Sequence, residues 1–185
     1  GEIAAFATQA AGLRGVKQLR WAAERMAGQT VSPFEVQTSM LISLPRDEGG
    51  LGIDITNNVR IPLSEAARSL YDKTCCYADI LIQSSTDSMG VILECQGRSA
   101  HDSEAASLSD AERTTALTSM GYDVIQITFG QIKDKKSFDH IAELIHKKAG
   151  LPYTPKTKQE RTAEDALRQE LLVDWAELFT AGPAS

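Results

Sequence analysis

Cysteine is scarce in this chain, with three in 185 residues. Two are adjacent (Cys75, Cys76) and one stands alone (Cys95). That is neither an even disulfide framework nor the two pairs that a structural zinc site needs, so the thiols read as packing groups of a protein in a reducing cytoplasm. Long apolar runs are also missing. No stretch nears the roughly 18 consecutive apolar residues of a membrane helix, and no basic-then-apolar secretory pattern opens the sequence. The expectation is a cytoplasmic protein without a membrane partner. Positive charge is not in excess either: the net charge is −6 and the sequence pI about 5.1, which excludes coating nucleic acid by bulk charge. Repeats are absent. What remains is 42% hydrophobic and 24% charged, the balance of a globular domain rather than a disordered chain. The length suits one domain with a helical appendage. The chain opens Gly-Glu without methionine, and we read this as either a residue left by tag removal or a domain excised from a longer parent protein.

Leu13, Val16, Leu19, Ala23 and Met26 recur at helical spacing up to Gly28 and predict an N-terminal helical extension over 1–31. Ser32-Pro33-Phe34-Glu35 combines a cap, a proline at the first helical position and an acid three residues after the cap, a strong start signal for a helix ending near Ser43 before Pro45. Leu51, Ile53 and Ile55, then Val59 and Ile61, alternate as one or two strands, and Ser64 caps a short helix. Tyr77–Gln83 and Val91–Gln96 flank a polar turn and predict a hairpin. A small-residue loop over Gly97–Ser107 leads to a helix from Ser109-Asp110-Ala111-Glu112 to near Gly121. A strand over Asp123–Phe129 and a helix over Ser137–Ala149 close the core at 150. The segment 151–185 reads as a polar linker and an amphipathic helix over Thr162–Phe179, an appendage to the core. A hairpin followed by a strand–helix–strand crossover makes the sheet mixed and the class α/β.

Asp79 begins one hairpin arm and Glu94 ends the other, so both lie at the hairpin's open end. The period of two puts Glu94 and Gln96 on one face and Leu93 and Cys95 on the other. Adjacent carboxylates repel and raise each other's pKa; a divalent cation between them, Mg²⁺ or Mn²⁺, explains such a pair in an apolar sheet.

Ser32-Pro33-Phe34-Glu35 on a helix, Ala78-Asp79 opening a strand, Glu94-Cys95-Gln96-Gly97 closing the next, His101, and Asp110 and Arg113 on a helix leading to Gly121-Tyr122 together resemble the PD-(D/E)XK nuclease superfamily. The similar branch is that of very-short-patch-repair endonuclease-like domains, and the resemblance spans about Ser32 to Phe129. It implies a restriction-endonuclease-like core over 32–150, a mixed sheet flanked by helices with N- and C-terminal helical extensions, acting on DNA. It further implies Asp79 and Glu94 as metal ligands, Glu35 as a supporting acid, and Gln96 and His101 orienting the attacking water. Gln96 stands where the superfamily usually has lysine. Glutamine supplies hydrogen bonds but neither positive charge nor a proton-accepting base, so the expected hydrolysis is weak or lost. The rival reading is a noncatalytic DNA- or protein-binding module of a regulator or antitoxin-like protein. Domains resembling this branch also follow DNA-binding segments, which matches the proposed longer parent.

Each residue also has a plain structural account. Glu35 completes a capping box, Asp79 is a solvated strand end, Glu94 sits on an exposed edge strand, and His101 is a surface loop histidine. Arg113 pairs with Asp110 or reaches a phosphate. Between Gln131 and Arg161, eight Lys or Arg face four acids; Lys133, Lys135 and Lys136 are candidate phosphate contacts, or simply a solvated face. Trp175 and Phe179 dock on the domain or on the second subunit of a homodimer.

Overall fold

The computed structural model describes residues 29–96 and 104–172, without the side chains of 104–106. The expected helix over Leu13–Met26, His101, and the aromatic pair Trp175 and Phe179 lie outside the described residues. Within them no helix is long and apolar enough to cross a membrane.

Helix α1 (Pro33–Ser43) starts as its sequence predicts: the Ser32 hydroxyl accepts the Glu35 N–H at 3.2 Å and Pro33 occupies the first turn. The capping box itself does not close. The Glu35 carboxylate accepts the N–H of Val31, one residue earlier, at 2.7 Å. After a 3₁₀ turn (Arg46–Glu48), the segment carrying Leu51 and Ile53 returns along the helix it has just left. The N–H groups of Leu51, Gly52 and Ile53 donate to the carbonyls of Leu41, Leu44 and Ile42, satisfying acceptors that a helix end leaves open. This corrects the expected strand over 51–55: its alternation buries Leu51 and Ile53, yet its donors serve a helix rather than a ladder.

Strand β1 (Thr56–Pro62), a one-turn helix α2 (Glu65–Arg68) capped by Ser64, and the hairpin β2 (Cys75–Ile82) and β3 (Gly90–Gln96) follow. Helix α3 (Glu104–Ser119) begins five residues before Ser109, because Glu104–Leu108 supplies good helix formers where a loop was expected. Strand β4 (Tyr122–Thr128) leads to an unforeseen short helix α4 (Phe129–Lys133), closed by a capping box of Thr128 and Gln131. Helices α5 (Lys135–Ala149) and α6 (Lys158–Leu171) complete the described chain.

The domain is α/β. Its sheet has the order β1-β2-β3-β4, antiparallel twice and then parallel between β3 and β4. On one face Ile80, Ile82, Val91, Leu93 and Ile127 meet α1, α5 and α6; on the other Ile61, Cys76, Leu81 and Ile92 meet α2 and α3 through Ala67, Ala116 and Leu117. Helix α6 is not appended. Leu167 and Leu171 lie in the larger core, and the Gln37 side-chain amide donates to the Leu171 carbonyl at 2.7 Å.

Candidate functional site: an acidic fork between strands

Period-two alternation holds along β3, where Val91 and Leu93 face the core under α1 and Ile92 faces α3. It breaks in β2. Cys76 and Ala78 pack toward α3, but Ile80 and Ile82 pack toward α1. The break falls at Asp79, whose place opposite Asn58 is skipped in the β1–β2 register, and Asn58 has the left-handed φ of 50°. A local twist there turns the strand pair over and frees Asp79 from the ladder.

The β2–β3 ladder ends at Ile80 and Leu93, so continuing its register sets Asp79 opposite Glu94. At this position β3 parts from β2 while staying paired with β4 through Glu94–Gln126 and Gln96–Thr128. The Asp79 carboxylate bridges the fork by accepting the Cys95 N–H through Oδ2 at 2.7 Å. Asp79 and Glu94 thus flank the last observed pair of the antiparallel β2–β3 ladder, Ile80↔Leu93.

Glu94 is only 2% exposed. Its Oε2 accepts from Arg113 Nη2 at 2.8 Å, whereas its Oε1 is buried with no hydrogen-bond partner. Burial, reinforced by the charges of Asp79 and Asp110 and opposed by Arg113, pushes the Glu94 carboxyl up to about 7. Burial likewise raises Asp79, helped by the charges of Glu35 and Asp110 and resisted by the Cys95 N–H and by Arg113. Glu35 is buried at the start of α1 and contributes charge to this group. Asp110 lies 3.9 Å from the Arg113 guanidinium. Asp79, Glu94 and Asp110 thus all feel the one Arg113 guanidinium, and the buried, unpaired oxygen of Glu94 calls for a further cation or a proton. Gln96 is half-buried, two residues beyond Glu94 on the same strand. The Cys95 thiol is pushed up to about 12 by burial and packs against the larger core. Among the described residues no three His, Cys, Asp or Glu side chains are grouped to hold a metal, so at most two of these carboxylates could share a cation.

Much of the expected basic patch is taken up by intramolecular pairs. Lys135 pairs with Asp165, Lys148 with Asp123, Arg161 with Asp139, and Lys156 with both Asp139 and Glu164. Lys133 and Lys136 are exposed. Two features escaped the sequence reading. Arg113 pairs with Glu94, 19 residues away, and no local spacing announces it. Glu164 and Arg168 form a buried pair at 2.7 Å; their i,i+4 spacing was a usable signal for the pair but not for its burial.

This is a mixed α/β domain with an acidic fork at the centre of its sheet. No family model, curated protein or solved structure matches the chain.

Proposed function

We propose that the domain is a restriction-endonuclease-like core that binds DNA and a divalent cation, Mg²⁺ or Mn²⁺, at the acidic fork, with weak or lost phosphodiester hydrolysis. The observation that carries this reading is Glu94 Oε1, buried and unpaired where Asp79 enters the fork. The donor chemistry fits a hard cation, which takes carboxylate oxygens. The order α1, three antiparallel strands, α3 and a parallel β4 supports the same core.

Asp79 and Glu94 would hold the ion. When bound, it polarises a phosphate and lowers the pKa of an attacking water. The chain's own groups prepare that site. The Cys95 N–H fixes one oxygen of Asp79, and Arg113 fixes one oxygen of Glu94 and favours its ionised form. Gln96 orients water or a phosphate oxygen through its amide but contributes no charge, and losing a preorganised charge or donor of this kind costs on the order of 10²–10³ in rate.

The noncatalytic reading has its own support: Arg113 already occupies one oxygen of Glu94, and no third acidic, histidine or cysteine ligand joins the group among the described residues. Mn²⁺ binding followed by electron paramagnetic resonance, beside nicking of supercoiled plasmid, separates the two. The nuclease-like reading expects one bound Mn²⁺, lost in Asp79→Ala. It also expects slow nicking that vanishes in Asp79→Ala and rises in Gln96→Lys. A protein that binds no Mn²⁺ and nicks no faster than Asp79→Ala is a noncatalytic module.

A further inference from the structure

Tyr77 is 50% exposed in β2 although its neighbours Cys76 and Ala78 are buried. Its partner across the β1–β2 ladder is Arg60, also exposed. The Arg60 side chain makes no ion pair or hydrogen bond among the described residues, in contrast with Lys135, Lys148, Lys156 and Arg161, all engaged by acids. Tyr77 precedes Asp79 by two residues, roughly 7 Å along a strand. A guanidinium without a partner and a half-exposed tyrosine therefore stand opposite each other in the ladder, two residues from Asp79, in a chain whose net charge is −6. A polyanion reaching that fork needs a local cation, and an exposed tyrosine ring can stack only on a base that is itself unstacked.

We propose that Arg60 and Tyr77 form a contact surface for single-stranded DNA, Arg60 on a backbone phosphate and Tyr77 stacked on a base. This rests on the nuclease-like reading and assigns it a substrate class.

The test is fluorescence anisotropy of a labelled oligothymidylate with the intact chain, in Ca²⁺ and over a range of salt. Arg60→Gln is expected to weaken binding about tenfold and to flatten the slope of log affinity against log salt by roughly 0.7, the signature of one lost phosphate contact on a single strand. Tyr77→Ser is expected to weaken binding about tenfold with the slope unchanged, and Tyr77→Phe to retain wild-type affinity. Mn²⁺ binding stays at the wild-type level in all three, which also reports that the fork remains folded. The proposal is overturned if wild type binds duplex more tightly than single strand, or if Arg60→Gln and Tyr77→Ser bind as wild type while Lys133→Gln and Lys136→Gln do not. Mn²⁺ binding without oligonucleotide binding overturns the surface and leaves the metal reading standing. The expected oligonucleotide pattern without Mn²⁺ binding does the reverse.

Discussion

Two buried glutamates, Glu164 and Glu94, each lie among other acids in this domain, and their charges are balanced differently. Around Phe138, Glu164 is gripped by Lys156 at 2.6 Å and Arg168 at 2.7 Å, Lys156 also reaches Asp139 at 2.8 Å, and both cations lie over the Phe138 ring at 5.0 and 4.6 Å from its centroid. Both oxygens of Glu164 are bonded. At the fork, Asp79, Glu94 and Asp110 share Arg113, and Glu94 keeps an oxygen without a partner. The first group ties α5 to α6 with its charges matched, although one nitrogen of Arg168, Nη2, is buried without a hydrogen-bond partner. The second gathers more acids than cations, an excess that folding alone does not reward and on which the proposed cation site rests.

The sharpest way to break this contrast is to remove the helix that completes the first group. Deleting 154–185 removes Lys156, Glu164, Arg168, Leu167 and Leu171 together; the shortened chain is expected to lose its cooperative urea transition, followed by circular dichroism. A sharp transition in that chain would make α6 the appendage that the sequence suggested. Next comes Glu164→Ala, which leaves two buried cations short of a partner and is expected to cost about 3–5 kcal/mol in equilibrium unfolding.

Glu94→Gln should behave differently and reveal its effect through pH. With its carboxyl raised from 4.5 to about 7, the folded protein holds more protons than the unfolded chain between those values. The Glu94 contribution to stability is therefore greatest at low pH and falls as pH rises through that window, by up to about 3 kcal/mol. Urea titrations in a chelator at pH 5 and pH 7.5 should show wild type losing stability relative to Glu94→Gln on going to the higher pH. Parallel behaviour of the two proteins would mean that Glu94 is as well compensated as Glu164. The smallest effect is Ser32→Ala, which removes the α1 cap and is expected to cost about 1 kcal/mol in the same assay, leaving the pH dependence unchanged.

Much of the fold was legible in the residues. Ser32-Pro33 announced α1, the apolar arms around the polar turn announced β2 and β3, and Gly150, in the left-handed conformation at φ 67°, announced the end of α5. The failures share a cause. Leu51 and Ile53 alternate like a strand, but only the neighbouring end of α1 determines where their N–H groups go. Ser109 resembles a cap, but the residues before it already favour helix. Lys156 resembles part of a solvated linker until α5 and α6 close over it.

Local patterns, read over a few residues, determined most of the element types, the β2–β3 hairpin and the mixed sheet, because capping, turn chemistry and strand alternation act over a few residues. Only the tertiary structure decided that the alternation of β2 breaks at Asp79, that Arg113 reaches Glu94, and that three acids share one guanidinium while four of the eight expected cations pair elsewhere. Charge balance depends on distance and on exclusion of water. Both arise only when elements far apart in the chain pack together.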